Sequence, residues 1–152
     1  MPELPPIYTS LILCSDVLKE DSGVVSAIRI VDTFIGQRPA GVDMTKVLAL
    51  IEFWILVIFK CESPCDFTAT ISGSGPKDTK AMNPQSFPIH LPGDVGGHNV
   101  MVRVTLGNAP EGLYWFSVTI NGQVAQRTPA RITYPEQTTE QSTPSQIGPS
   151  SD

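Results

Sequence analysis

Two histidines and scattered serines and aspartates are the side chains that could carry out hydrolytic chemistry in this sequence. A Ser-His-Asp site needs a positioned nucleophile, a base and an orienting acid. The sequence contains no Gly-x-Ser-x-Gly turn that would present the nucleophile. His98 lies in a GGHN turn, and His90 lies in the segment PIHLP, where a packed or surface histidine is the more ordinary interpretation. We therefore expect no catalytic residue and no enzyme activity.

Cysteines and carboxylates are the remaining candidates for chemistry. A zinc site needs four nitrogen or sulfur ligands at suitable spacings, which Cys61, Cys65 and two histidines do not provide. Calcium binding needs carboxylates that converge from loops, and the acidic residues are scattered without a dense Asp-x-Asp pattern. The glycine-rich stretches at 73–75 and 93–97 lack the Gly-Lys-Ser/Thr ending of a phosphate loop. We expect no metal and no cofactor.

Charge and hydropathy narrow the class of partner. The net charge is −5, and the ten basic residues do not cluster, which argues against a nucleic-acid partner. The longest apolar run, residues 47–59, contains Glu52 and is shorter than the roughly 20 residues that span a bilayer. We expect a buried strand there and no membrane insertion.

Cysteine usage and the N-terminus point to a cytoplasmic protein. The opening MPELPPIYTS has no basic region of an export signal, and three cysteines leave at least one unpaired. Cys61 and Cys65 flank a turn built on Pro64. We interpret them as free thiols, with closure of a small disulfide loop as the alternative.

Residues 112–127 give the clearest structural pattern. Tyr114, Phe116, Val118 and Ile120 alternate with more polar neighbours, which predicts a strand with one buried face. Asn121-Gly122 then predicts a type I′ turn with positive φ at both positions, followed by a returning strand. The place of Tyr114 after a Pro/Gly turn suggests a tyrosine corner, or simply a core aromatic.

The whole chain is consistent with an all-β domain. We predict seven strands within residues 7–134, with Ile28 and Ile30 facing the core and residues 73–96 forming a loop with a short edge strand at FPIHL. The prediction is a seven-stranded antiparallel β-sandwich over residues 1–134. Residues 135–152, rich in Pro, Ser, Thr and Gln, are predicted to be a disordered tail.

Both ends of the chain resemble a bacterial or phage family of small uncharacterised proteins. The opening LILCSDVLKEDSGVVSAIRIVDTF is similar to the family's strand ending in Cys-Asp, polar loop and Gly-Lys-x-Ser-x-Ile-Gly-Ile. The closing EGLYWFSVTINGQVAQRTPARI is similar to its Gly-x-Tyr-x-Phe-x-Val strand and hairpin. Val24, Val25 and Arg29 depart from the pattern. The resemblance implies an immunoglobulin-like or C2-like sandwich and assigns no catalytic residue.

The strand at residues 47–59 is apolar on both faces, although a sandwich strand needs only one buried face. The second face could be covered by residues 73–96, by the N-terminal arm, or by a partner. If this third strand neighbours the sixth, as in an immunoglobulin-like order, two tryptophans share an outer face. The predicted interface then consists of Leu50, Glu52, Trp54, Leu56 and Trp115.

Two functions fit such a face. A non-enzymatic module that binds a protein partner or forms a homo-oligomer would place its tryptophans in a continuous apolar patch. A sandwich that binds a carbohydrate or lipid would instead place Trp54 or Trp115 on an open surface with polar neighbours. We favour the interaction module and keep the ligand-binding sandwich as the alternative.

Overall fold

The computed structural model describes residues 3–36, 43, 50–94 and 96–135. Alternating apolar residues form strands in these ranges, and turn residues separate one strand from the next. They run in the order β1 (Ile7–Lys19), β2 (Val25–Ile30), β3 (Thr33–Ile35), β4 (Leu50–Cys61), β5 (Cys65–Ser74), β6 (Lys80–Leu91), β7 (Gly97–Gly107), β8 (Gly112–Ile120) and β9 (Gln123–Thr133).

The strands form two sheets that pack face to face. The four-stranded sheet has the order β2-β1-β4-β7, and the five-stranded sheet has the order β3-β9-β8-β5-β6. The core lies between them, where alternate residues of each strand meet. Phe53 of β4 packs between Phe34 and Phe116 of the other sheet, with ring centroids 4.5 Å and 5.3 Å away. These aromatic contacts join the two layers.

The strand count differs from the predicted seven: the described residues contain nine strands. One additional strand arises because the predicted second strand breaks near Asp32, and β3 then joins the five-stranded sheet. This strand pairs in parallel with β9, through Thr33 and Arg131, so the architecture is not wholly antiparallel. The prediction that Ile30 faces the core is also wrong, because its side chain is 73% exposed.

The second additional strand is β6, which replaces most of the loop predicted over residues 73–96. Pro84 and Pro88 lie within it, and β6 is the outermost strand of its sheet. Proline lacks an N–H, but an edge strand leaves one side of its backbone unpaired, so proline is tolerated there. The breaker residues therefore indicated an edge position rather than a loop.

The β8–β9 hairpin confirms the sequence pattern. Tyr114, Phe116 and Val118 are buried, while Ile120 is half-buried. Asn121 and Gly122 have φ values of +46° and +85°, as a type I′ turn requires. The predicted tail begins at Pro135, and its residues 136–152 lie outside the described residues.

This turn gives a direct stability prediction. We expect Gly122→Val to lower the free energy of unfolding by about 1–2 kcal/mol, because a branched residue is strained at positive φ. The space around the added Cβ is open, so the loss has no steric contribution from neighbours. Gly122→Asn, which tolerates this conformation, is the matched control, and urea denaturation of both variants measures the difference. Equal stability of the two variants would contradict the turn geometry.

Two tyrosines hold the loop that precedes β8. The Tyr114 hydroxyl donates to the carbonyl of Pro110 at 2.8 Å, which confirms the tyrosine corner. The Tyr134 hydroxyl donates to the carbonyl of Ala109 at 2.7 Å. Burial raises the pKa of both phenols, so their contribution to stability is complete below the usual tyrosine pKa and is lost as the pH rises above it.

Candidate functional site

The five residues predicted to form an interface do not share one face. Leu50, Glu52, Trp54 and Leu56 lie on β4 in the four-stranded sheet, whereas Trp115 lies on β8 in the five-stranded sheet. Both tryptophans point away from the core, so they lie on opposite sides of the sandwich. The predicted grouping of Trp115 with the other four is therefore wrong.

The physical reason is the place of the second counted strand, which is an edge addition rather than a member of the central order. β2 adds to the outside of β1 as a hairpin, so the apolar strand at Leu50–Cys61 is the second strand of the central arrangement. It consequently pairs with β1 and β7 rather than with β8. The strand that pairs with β8 is the next one, β5.

The outer surface of the four-stranded sheet carries apolar side chains on each of its strands. Register places Ile30, Cys14, Trp54 and Arg103 in one row. The next row holds Ile12, Leu56 and Met101, with Ile58 beyond it. We call this surface the four-strand face and define it by Ile12, Ile30, Trp54, Leu56, Ile58 and Met101.

The centre of the four-strand face is densely packed. Leu56 is 2% exposed and Cys14 is 0% exposed, yet neither belongs to the core between the sheets. The Cys14 thiol donates to the carbonyl of Trp54 at 3.9 Å, which is a weak bond across the two strands. Leu56 is therefore a buried member of the four-strand face, and its neighbours Trp54, Ile58 and Met101 are half-buried.

The two chain segments that the sequence suggests as covers for this surface lie elsewhere in the structure. Residues 80–91 form β6 of the opposite sheet, and Leu4 of the N-terminal arm packs against the core between the sheets. Neither of these described segments belongs to the four-strand face.

A polar pair borders the apolar rows. Arg103 of β7 donates to Glu52 of β4 at 3.0 Å, and the Thr105 hydroxyl donates to the same carboxylate oxygen at 3.4 Å. The side chains of Arg103 and Glu52 are 59% and 50% exposed, so the pair contributes little to stability. Charges at such a border act mainly on the orientation and selection of a partner.

Trp115 has a different environment. Its register neighbours are Ser74 on β5 and Pro129 on β9, and Arg127 holds its guanidinium carbon 4.3 Å from the ring centroid. This is a cation–π contact. The surroundings of Trp115 are thus polar and basic, whereas those of Trp54 are mainly aliphatic.

The cysteines have properties of buried thiols rather than nucleophiles. Cys14, Cys61 and Cys65 are free and buried. Burial, and then a hydrogen bond between the Cys65 thiol and Cys61, raises the pKa of Cys65 to about 11. A thiol with a raised pKa is protonated at neutral pH and reacts slowly.

One histidine–aspartate pair lies on the surface of the five-stranded sheet. His90 Nδ1 is 2.6 Å from Asp66 Oδ1, and both side chains are exposed beside a shallow pocket of about 380 Å³. Within the described part of the chain, Asp66 is the residue hydrogen-bonded to this ring. A nucleophile, the third requirement of a triad, is not joined to the pair there.

The described ranges contain neither a cluster of metal ligands nor a helix that could span a membrane. No group of three or more His, Cys, Asp or Glu residues among them is arranged to hold a metal ion. None of their helices has the length and apolar character that crossing a membrane requires.

Comparison with known proteins identifies no family. No protein-family model matches the chain, and a search of curated proteins also gave no match. Among solved structures, a β-D-glucoside glucohydrolase from Trichoderma reesei is similar over 85% of this chain, with a TM-score of 0.39 and 11% identity. A β-glucosidase from Listeria innocua is similar over 84%, with a TM-score of 0.41 and 10% identity.

A smaller protein is similar at the same level. The N-terminal domain of PorA matches over 82% of this chain and 97% of its own length, with a TM-score of 0.33 and 12% identity. The chain spans only 19% and 16% of the two glycosidases. Scores this low carry no argument about activity.

Proposed function

We propose that this chain is a non-enzymatic protein-interaction or assembly module that binds a protein partner, or a second copy of itself, through the four-strand face. The observation that carries the proposal is the continuity of apolar side chains across three adjacent strands, from Ile12 through Trp54 and Leu56 to Met101. Extended apolar patches on a folded surface are typical of protein interfaces. Trp54 supplies the residue type most enriched at energetic centres of interfaces.

The sandwich is of the immunoglobulin-like or C2-like type in this proposal. Support comes from the order of the long strands: β1-β4-β7 in one sheet and β9-β8-β5-β6 in the other. This order corresponds to the immunoglobulin arrangement A-B-E and G-F-C-C′, with β2 and β3 added at the edges. The tyrosine corner at Tyr114 lies near the start of the strand equivalent to F, where such sandwiches carry it.

The charged pair at the border of the four-strand face would make the proposed interface selective for its partner. Glu52 and Arg103 place one carboxylate and one guanidinium beside the apolar rows. A partner must match both charges or leave one of them unpaired when it is desolvated.

The three free cysteines also support a reducing compartment, and we place the module in the cytoplasm.

Self-association is the form of the proposal that a purified chain can test. We expect an oligomer in sedimentation-equilibrium experiments, and we expect Ile30→Lys and Trp54→Ala each to weaken association by at least about tenfold. Ile30 is 73% exposed, so lysine at this position should leave the fold intact. The lysine ammonium group would have to be buried in the interface without an opposite charge beside it.

Val124→Lys is the matched control, because Val124 is 66% exposed on the other sheet. Circular dichroism checks that each variant is folded. A wild-type chain that stays monomeric at high concentration would contradict self-association through this face. A variant at Val124 that dissociates as readily as the one at Ile30 would contradict the choice of surface.

A ligand-binding sandwich is the second candidate, and one observation favours it. Trp115 lies among serine, proline and arginine side chains rather than in an aliphatic patch. An aromatic ring with polar neighbours is what a carbohydrate-binding surface requires.

A further inference from the structure

The outer surface of the five-stranded sheet carries an unusual grouping of two arginines and a tryptophan. Register places Arg127 opposite Ser117, Pro129 opposite Trp115, and Arg131 opposite Leu113. Trp115 thus lies between the two arginines along the strand direction. We call this surface the five-strand face and define it by Ser74, Trp115, Ser117, Arg127, Pro129 and Arg131.

The spacing of the two arginines follows from strand geometry. They are four residues apart on β9 and project to the same side, so their Cα atoms are separated by about 13 Å at about 3.3 Å per residue. The indole and Pro129 fill the interval between them. An extended ligand that lies along the strand direction can contact both guanidinium groups and the indole between them.

Neither guanidinium is neutralised by a carboxylate in the described part of the chain. Arg127 and Arg131 are exposed, and the ion pairs there join His90 to Asp66 and Arg103 to Glu52. The carboxylate of Glu111 accepts a hydrogen bond from the backbone N–H of Tyr134 at 2.5 Å. Two unpaired cations on one surface of a chain with net charge −5 form a local site for an anion.

The contact between Arg127 and Trp115 orders this site. The guanidinium carbon lies 4.3 Å from the ring centroid, which restrains a long side chain that would otherwise sample many rotamers. A restrained planar guanidinium offers paired donors to a carboxylate. Pro129 lies directly opposite Trp115 on β9 and places a second apolar side chain beside the indole.

We propose that the five-strand face binds an acidic oligosaccharide whose sugar units carry carboxylates. Arg127 and Arg131 bind carboxylates on separate units, and the apolar side of a sugar ring lies on Trp115 and Pro129. Ser74 and Ser117 flank the ring and offer hydroxyls to the sugar hydroxyls. The inference rests on the ligand-binding candidate above and is independent of the four-strand face.

The surroundings favour a sugar over a protein partner. The neighbours of Trp115 on both adjacent strands are Ser74 and Pro129, and two arginines lie on the same side, so this part of the five-strand face is more polar than the centre of a protein interface. The carboxylate requirement comes from the two guanidinium groups, because a neutral glycan would leave both without a partner.

Titration calorimetry with a polygalacturonate oligosaccharide tests the proposal on the full chain. We expect binding that weakens with added salt, and no binding of the methyl-esterified oligosaccharide, which has lost its charges. Arg127→Gln, Arg131→Gln and Trp115→Ala should each weaken binding by at least about tenfold. Lys19→Gln, at the exposed end of β1 in the opposite sheet, is the matched control and should bind as the wild type does.

Three results would overturn the inference. They are an absence of polygalacturonate binding, equal binding of the methyl ester, and equal binding of poly-glutamate, which would assign the site to acidic proteins. Sedimentation of the same variants separates this test from the interface proposal. The Arg127 and Arg131 variants should keep the oligomeric state of the wild type, so failure of one proposal leaves the other unaffected.

Discussion

Phe116→Ala is expected to lower the free energy of unfolding by about 3–5 kcal/mol. The ring is 1% exposed and stacks edge-on against Phe53 of the opposite sheet, with centroids 5.3 Å apart. It also fills the space beside Gly73, where an added Cβ would be 2.8 Å from the ring. Removing the ring leaves a cavity between two sheets whose backbones are fixed by their ladders, so the structure collapses into it poorly. Urea denaturation monitored by tryptophan fluorescence measures the loss.

Phe116→Leu is the matched control for this cavity. Leucine keeps most of the apolar volume, so we expect a loss clearly smaller than for alanine. A loss below about 1 kcal/mol for Phe116→Ala would mean that β8 does not face the core in this register.

Leu56→Glu is expected to destabilise the fold by about 3–5 kcal/mol, as an uncompensated buried charge does. The sequence alone presents Leu56 as an exposed interface residue that accepts a charge. At 2% exposure, however, it lies beneath its neighbours on the four-strand face. A carboxylate there loses water and gains no described cationic partner, since Arg103 is already paired with Glu52.

The pH dependence identifies the cause of that loss. Burial disfavours the ionised carboxylate, so the introduced glutamate has a higher pKa in the folded than in the unfolded chain. The stability of the variant therefore falls as the pH rises above the ordinary glutamate pKa, and part of it returns under acid conditions. Thermal unfolding of Leu56→Glu and Leu56→Met at pH 4.5 and pH 7.5 tests this. The glutamate variant unfolding like the methionine variant at pH 7.5 would show that Leu56 is exposed.

Local features of this fold can be predicted from sequence because neighbouring residues determine them. The hairpin at Asn121-Gly122 depends on two residues that tolerate positive φ, and the tyrosine corner spans the five residues from Pro110 to Tyr114. The edge strand β6 is harder, because Pro84 and Pro88 favour a loop until their position at the end of the sheet is known.

Sheet membership could not be predicted, and the error in the candidate site follows from that. Alternation shows that β4 has two apolar faces, but it does not say whether β4 pairs with β1 or with β8. Because the edge strand β2 was counted as the second strand of an immunoglobulin-like order, β4 was assigned to the position that β5 occupies, and Trp54 was grouped with Trp115.

The sequence patterns also failed to identify two groups of residues, one on the four-strand face and one on the five-strand face. Ile12 and Cys14 alternate with Leu11 and Leu13, so the first strand is apolar on both faces, as β4 is. That pattern could have identified the neighbour of β4. Arg127 and Arg131 gave no signal, because their significance depends on the ladder with β8.

The parallel pairing of β3 with β9 has a consequence for synthesis on the ribosome. Thr33 pairs with Arg131, so this short ladder joins segments that lie far apart in the sequence. Closing so long a loop is entropically costly, and the ladder cannot form until the last strand has been translated. Until then Phe34, which contacts Phe53 in the folded protein, has no sheet to hold it there. A nascent or prematurely terminated chain that lacks β9 therefore exposes core aromatics and is a natural target for chaperones and proteases.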